Sequence, residues 1–116
     1  MKDEFSLRGL DIEKIMDQAV AAAEAFRRLG QAETDKIVEA VYKAGFSNRV
    51  RLAKLACEET KLGRWEDKVI KNVIATRFVY QDIKNQKTVG LIADDPDQEI
   101  VEIAEPVGPI FAITPV

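Results

Sequence analysis

The 116-residue chain contains no histidine, and it contains a single cysteine, Cys57. Catalytic centres of the Ser-His-Asp or Cys-His type require a histidine, as do histidine-ligated metal sites, so none of these can form within the chain. One cysteine also excludes an internal disulfide and a zinc site built from several cysteines. The side chains alone therefore predict no catalytic residues and no metal-binding residues.

Positive charge is also scarce, because 17 lysines and arginines stand against 20 acidic residues and give a net charge of −3. Nucleic acids and anionic membranes attract clustered positive charge, so we expect neither as a partner. No apolar run approaches the roughly 18 residues of a membrane span. The start, Met1 to Glu4, carries acids rather than the basic and then apolar residues of a leader. These absences predict a cytoplasmic protein.

Glycine-rich phosphate loops are missing too, since the six glycines form neither GxGxxG nor GxxxxGK[ST]. Asp94, Asp95 and Asp97 could offer oxygen ligands to a hard cation, but they lack the glycine and distal glutamate of a calcium loop. Turn chemistry explains them without a metal. Cys57 is followed by two glutamates, the opposite of the positive surroundings that a reactive thiolate needs. We interpret Cys57 as a packing residue.

Apolar residues at three- and four-residue spacing predict amphipathic helices over most of the chain. Asp11 is placed to cap the first helix, and Gly30 stands where a left-handed C-terminal cap is usual. The second helix is expected to break near Gly45. The predicted helices cover residues 11–29, about 31–43, about 47–62 and about 66–84.

The spacing changes to a two-residue alternation at Lys87. Residues 88–92 and 100–103 then read as the strands of a β-hairpin, with an acidic turn between them. The continuous apolar run Ile110–Ile113 is typical of a strand covered on both faces, as in a parallel sheet. Four helices and a hairpin cannot supply such a sheet. We therefore expect the front of a longer chain, with an α/β domain beginning near Pro106.

Four blocks of the second half occur in the order found in CoA-acylating aldehyde dehydrogenases, which the chain resembles. They are Glu66–Asn72 (EDKVIKN), Lys87–Gly90 (KTVG), Ile103–Ile110 (IAEPVGPI) and Ile113–Val116 (ITPV). This group includes the aldehyde half of bifunctional aldehyde-alcohol dehydrogenase, CoA-dependent succinate-semialdehyde dehydrogenase and sulfoacetaldehyde dehydrogenase. The resemblance covers nearly the whole chain and is most specific over residues 58–116.

The resemblance implies an α/β fold of the aldehyde dehydrogenase type, of which this chain is the N-terminal part. Residues 1–86 would form the N-terminal helical segment. Residues 87–105 would form the β-hairpin of an oligomerisation sheet. Residues 106–116 would begin a truncated, Rossmann-like cofactor-binding domain, with its first strand over Val107–Ile113.

The resemblance also implies a cofactor site, because ligands of open α/β sheets bind beyond the carboxyl ends of the strands. Ile113, Thr114, Pro115 and Val116 would lie at the rim of the site for NAD or NADP. CoA and a small aldehyde would be the substrates, and a homo-oligomer the assembly. The sequence leaves open which aldehyde is used and which of the two nucleotides is bound.

In the family, a cysteine thiolate attacks the aldehyde, a hydride passes to NAD(P)+, and the resulting thioester is transferred to CoA. The family's nucleophilic cysteine and oxyanion-hole asparagine would follow Val116, and Cys57 does not match that cysteine. We therefore expect the N-terminal part of such an enzyme, inactive in isolation. The alternative is a non-catalytic helical assembly module, which would use the open edge of the hairpin and the Arg64–Trp65 pair as contacts.

Overall fold

A computed structural model describes residues 11–113 of the chain. The described residues form a helical unit followed by an antiparallel β-hairpin, which confirms the predicted order of elements. The helices are α1 (Ile12–Phe26), α2 (Gln31–Ser47), α3 (Arg49–Thr60), α4 (Trp65–Val73), a π-helical segment (Ile74–Phe78) and α5 (Val79–Ile83), and the strands are β1 (Gly90–Asp95) and β2 (Ile100–Ala104).

The turn between α1 and α2 differs from the sequence-based expectation. Asp11 caps α1 as predicted, since its Oδ1 accepts a hydrogen bond from the Lys14 N–H at 3.0 Å. The helix then ends at Phe26, and Gly30 has an extended backbone, with φ −83°, rather than a left-handed one. Gly30 is instead the N-cap of α2, and its N–H donates to the Glu33 carboxylate at 2.9 Å. The predicted role of Gly30 as a C-terminal cap is therefore wrong.

Helix α2 runs through Gly45 to Ser47, so the predicted break near Gly45 is also wrong. The glycine has a packing reason, because a Cβ added there would lie 3.0 Å from Cγ2 of Thr76. Thr76 belongs to the π-helical segment and is held by its own hydroxyl, which donates to the Asn72 carbonyl at 2.6 Å. Gly45 therefore lets α2 and the long fourth helix approach closely.

A few specific contacts join the remaining helices. The Asn72 amide of α4 donates to the Arg49 carbonyl at the start of α3, at 2.9 Å. The rings of Tyr42 and Tyr80 stack, with their centroids 4.4 Å apart and an interplanar angle of 2°. Ala53, on α3, is 1% exposed. None of the described helices is long and apolar enough to cross a membrane.

The hairpin pairs Gly90 with Ala104 and Asp95 with Ile100, with an irregularity in the register between Leu91 and Ala93. Its turn is stabilised by Asp95, whose Oδ1 accepts hydrogen bonds from the next two free N–H groups, those of residues 97 and 98, at 3.1 Å each. This is the turn chemistry expected of the acidic stretch.

The predicted strand over Val107–Ile113 is not formed within the described residues. A strand requires a hydrogen-bonded neighbour, and within the described residues β1 and β2 pair with each other and not with this segment. The segment instead leaves its apolar side chains in the open, with Phe111 89% exposed. It thus lacks the sheet that its composition predicts.

The contact between Gly45 and Thr76 generates a test in two steps. Gly45→Ala should lower the free energy of unfolding by about 1 kcal/mol, because overpacking costs roughly 1–3 kcal/mol and outweighs the helix gain. In a Thr76→Ser background, which removes Cγ2, the same change should raise it by about 0.5–1 kcal/mol, the usual preference for alanine over glycine in a helix. Chemical denaturation of the four proteins measures both effects.

Thr76→Ser alone is the matched control, and it retains the hydroxyl that bonds to Asn72. An equal effect of Gly45→Ala in both backgrounds would contradict the assigned contact, since the two positions would then be energetically independent.

Candidate functional site

The residues predicted to meet the nucleotide lie at the end of the described chain. Ile113 is 84% exposed and follows an extended segment. Thr114, Pro115 and Val116 lie outside the described residues. The structure thus places one of the four predicted residues, on an accessible surface.

The segment before Ile113 runs beside α1. Residues 106–110 and the α1 face that contains Ala19, Ala23 and Phe26 enclose an open groove of about 430 Å³. The alanines are small and leave space beside the helix, and every residue that lines the groove is apolar, proline or glycine. Such a surface can bury apolar atoms, but its side chains offer no group for acid–base or nucleophilic chemistry.

Cys57 lies in the last turn of α3. Its Sγ is 3.6 Å from the Leu62 carbonyl oxygen and 3.7 Å from that of Gly63, so the thiol is placed to donate to both. Carbonyl oxygens and the C-terminal end of a helix both disfavour negative charge. The half-buried thiol is therefore placed as a hydrogen-bond donor that packs at the end of α3, in agreement with its interpretation as a packing residue.

Trp65 begins α4 beside Cys57 and packs under a cation. The Lys54 ammonium lies 4.8 Å from the centroid of its ring, and the indole remains 38% exposed. Arg64 and Glu66 approach each other at 4.0 Å on the exposed surface. The cluster thus closes the junction between α3 and α4, with part of the indole left available for a contact.

The exposed face of α2 carries an ion pair between Glu39 and Lys43, four residues apart, at 2.8 Å. The hydrogen bond to the Glu39 carboxylate, together with its charge, raises the pKa of Lys43 above its ordinary value. This shift favours the charged ammonium, so it lowers the fraction of neutral amine that could accept a proton. The pair is consistent with a solvated helix surface.

Within residues 11–113, no group of three or more acidic, cysteine or histidine side chains is arranged to hold a metal ion. Of the three aspartates considered above, Asp95 uses its carboxylate within the turn. The described residues thus bring together no constellation for acid–base, nucleophilic or metal chemistry.

Sequence reasoning missed Gln31, whose side chain makes several hydrogen bonds to the linker between α5 and β1. Its amide oxygen accepts hydrogen bonds from the backbone N–H groups of Thr88 and Val89, at 2.8 and 3.0 Å. The partners lie 57 and 58 positions away along the chain. No local pattern connects positions so far apart, so the contact becomes visible only in the folded chain.

Comparison with known proteins identifies the group to which this fold belongs. The model of the aldehyde dehydrogenase family matches residues 7–116. The succinate-semialdehyde dehydrogenase (acetylating) of Clostridium kluyveri is 34% identical over 107 residues, which are 92% of this chain and 24% of that protein. The sulfoacetaldehyde dehydrogenase of an Acholeplasma species is 41% identical over 101 residues, 85% of this chain and 21% of that protein.

A solved structure shows the same architecture. The acetylating aldehyde dehydrogenase of Geobacillus thermoglucosidasius superposes with a TM-score of 0.78 and 42% identity, over 83% of this chain and 21% of that one. The chain thus spans about a quarter or less of the length of these relatives. The match confirms the resemblance drawn from the sequence blocks, and the chain belongs to the aldehyde dehydrogenase family.

Proposed function

We propose that this chain is the N-terminal part of a CoA-acylating aldehyde dehydrogenase, which converts an aldehyde and CoA to an acyl-CoA with reduction of NAD(P)+. The observation that carries the proposal is the similarity, over 92% of the chain, to a relative whose name includes the acetylating activity. The structural similarity to a second acetylating enzyme supports it independently. The aldehyde itself is not specified by any described residue.

We propose that the chain divides into three segments, which follow the elements of the fold. Residues 1–86 form the helical segment, residues 87–105 the hairpin that joins an oligomerisation sheet, and residues 106–116 the start of the cofactor-binding domain. Two observations support the last boundary. The hairpin ladder ends at Ala104, and the exposed apolar segment that follows is suited to a sheet whose other strands come from elsewhere in the protein.

For the cofactor, we propose that Ile113, Thr114, Pro115 and Val116 form one wall of the NAD(P) site. Bound NAD(P)+ would supply the hydride acceptor of the reaction. The residues present fit a wall rather than a phosphate cradle, because the described segment offers apolar side chains and backbone groups, and no glycine-rich loop precedes it. This chain's own contribution would be to orient the nucleotide and exclude water beside it.

Catalysis would be supplied by groups other than those described here. Cys57 lies among carbonyl oxygens in the last turn of a helix, and an attacking thiolate needs the opposite surroundings. The helices and hairpin would instead support the cofactor-binding domain. This role needs no titrating side chain.

A second candidate function is assembly without catalysis, and the exposed apolar surface favours it. Both strands of the hairpin carry exposed apolar side chains, and a two-stranded sheet is marginally stable by itself in water. The segment after it adds Val107, Phe111 and Ile113, each more than 80% exposed. We therefore also propose a homo-oligomer in which a second copy covers part of this surface.

A chimera tests the proposed activity. Residues 1–116 should replace the matching segment of the Geobacillus thermoglucosidasius enzyme with retention of CoA-dependent NAD(P)+ reduction in the presence of aldehyde. Cys57→Ala in the chimera should leave kcat within about twofold, because the thiol only packs the end of α3. The purified 116-residue chain should show no turnover, with or without Cys57. A folded but inactive chimera, or activity of the short chain that is lost in Cys57→Ala, would contradict the proposal.

The same chimera tests the proposed cofactor wall. Ile113→Asp should raise the KM for NAD(P)+ about tenfold, because a carboxylate beside an anionic nucleotide loses on the order of 1.4 kcal/mol of binding. The KM for the aldehyde should change little. Ile12→Asp, at an exposed isoleucine in the first turn of α1, is the matched control and should leave both constants unchanged. Equal effects of the two variants would argue against a nucleotide contact at Ile113.

Self-association of the 116-residue chain tests the proposed assembly. Full burial of an apolar side chain stabilises by roughly 1.5–3 kcal/mol, so the segment has several kcal/mol to gain from a partner. Phe111→Lys with Ile113→Lys should therefore shift the chain toward monomer while its helical circular dichroism signal is retained. Light scattering at tens of micromolar, on the order of a weak interface's Kd, measures the shift.

Gln81→Lys with Asn85→Lys adds the same number of lysines at exposed polar positions and should leave the association unchanged. A monodisperse monomer of the unmodified chain would contradict the proposed assembly, since the apolar segment would then be stable without a partner.

A further inference from the structure

The helical unit and the hairpin are joined by the linker between α5 and β1, and Gln31 holds that linker. Gln31 is the first residue of α2 and is half-buried. Its amide oxygen accepts from the N–H groups of Thr88 and Val89 at 2.8 and 3.0 Å. Its amide nitrogen donates to the Thr88 hydroxyl at 3.1 Å and lies 3.5 Å from the Gln86 carbonyl. One side chain thus contacts three of the last four residues before the hairpin.

The orientation of this amide is fixed from the helix side. Asp35, one turn further along α2, accepts a hydrogen bond from the Gln31 amide nitrogen at 2.7 Å. A carboxylate can only accept from that nitrogen, so it holds the amide oxygen toward the linker. With the opposite orientation, the two backbone N–H groups would face another donor. Asp35 therefore selects the arrangement in which Gln31 can hold Thr88 and Val89.

The contact lies where the direction of the hairpin is set. Gly90, the first residue of β1, directly follows Val89 and has a φ of +72°, a conformation that redirects the chain. The N–H groups of Thr88 and Val89 bond to one oxygen, so the backbone that enters this bend is held in one arrangement. The direction in which β1 leaves the helical unit then follows from the position of the Gln31 amide.

The apolar packing between the helical unit and the hairpin is incomplete, so it restrains the direction of the hairpin only weakly. A cavity of about 250 Å³ separates the α1–α2 turn from the base of the hairpin, between Phe26 and Leu29 on one side and Ile103 on the other. Thr34 also lines it, and its buried hydroxyl has no hydrogen-bond partner among the described residues. Side chains that face a void lose part of their dispersion contacts. The polar contact of Gln31 is therefore the more directional attachment.

We propose that Gln31 is a positioning residue that fixes the direction of the hairpin relative to the helical unit. The inference goes beyond the proposed enzymatic function and does not depend on it. It gives the hairpin a defined direction before any partner binds. The free edges of its two strands would then be presented at one angle to the helices rather than over a range of angles.

Amide hydrogen exchange and an interspin distance test the proposal together. Gln31→Met keeps the length and the helix preference of the side chain but removes its hydrogen bonds. The Thr88 and Val89 amides should then exchange about 2- to 10-fold faster, the effect of losing one ordinary hydrogen bond each. The amides paired within the hairpin should keep their protection. Gln18→Met, at an exposed position of α1, is the matched control and should change neither set.

The distance is measured between spin labels at Glu59→Cys on α3 and Asp97→Cys in the hairpin turn, in a Cys57→Ser background. The unmodified Gln31 should give a narrow distance distribution, and Gln31→Met a clearly broader one. Gln31→Glu combined with Asp35→Asn retains an acceptor for the two N–H groups without setting two carboxylates side by side, and it should restore part of the narrow distribution. A broader distance distribution indicates a positioning role. A general loss of stability would instead appear as a lower midpoint of thermal unfolding.

Unchanged exchange at Thr88 and Val89 together with an unchanged distance distribution in Gln31→Met would overturn the proposal. If Gln31→Met fails to fold, hydrogen exchange of the unmodified protein still tests the proposal. There the Thr88 and Val89 amides should be protected about 2- to 10-fold relative to that of Lys87. Equal exchange at the three positions would overturn the proposal as well.

Discussion

Burial of apolar side chains stabilises a folded protein, and the described part of this chain buries few of them within itself. Among residues 11–113, Ala53 and Thr34 are buried, at 1% and 8% exposure, while large apolar side chains on the helices, the hairpin and the last segment stay exposed. The helical unit is therefore held by a few specific contacts between helices rather than by a broad core. The close approach at Gly45, the stacked pair of Tyr42 and Tyr80, and the Asn72 hydrogen bond are the main ones.

The small amount of buried apolar surface also supports the proposed function. An exposed apolar hairpin and an exposed apolar segment are the features expected of a part that packs against other strands and helices. The relatives matched by this chain are about four times as long or longer, and the proposed cofactor-binding domain would supply such surfaces.

The sequence predicted the elements whose information is local. Helical spacing located α1 to α5, two-residue alternation located the hairpin, and Asp11 marked the first helix start. The errors at the two glycines have different causes. The predicted helix end at Gly45 is wrong because the contact of Gly45 with Thr76 is not local. The error at Gly30 is local, since this glycine caps the following helix together with Glu33 rather than the preceding helix.

The candidate site, too, could be predicted only as far as its information is local. The apolar run before Ile113 was recognised from its composition, but a strand also needs a neighbour, and composition does not provide one. Gln31 carries no local signal because its partners lie in the linker before the hairpin. The reaction itself could not be predicted from residue chemistry, since no titrating cluster carries it. The order of the sequence blocks pointed to the family instead, and the family match confirmed that membership.

Complementation in two pieces tests most directly whether this chain is a structural part of an acylating aldehyde dehydrogenase. The 116-residue chain would be mixed with the Geobacillus thermoglucosidasius enzyme lacking its matching N-terminal segment, and CoA-dependent NAD(P)+ reduction would be followed. The account predicts an equimolar complex and activity that rises with added chain to saturation. A chain that stays separate from the shortened enzyme, with no activity at any ratio while both pieces remain folded, would contradict it.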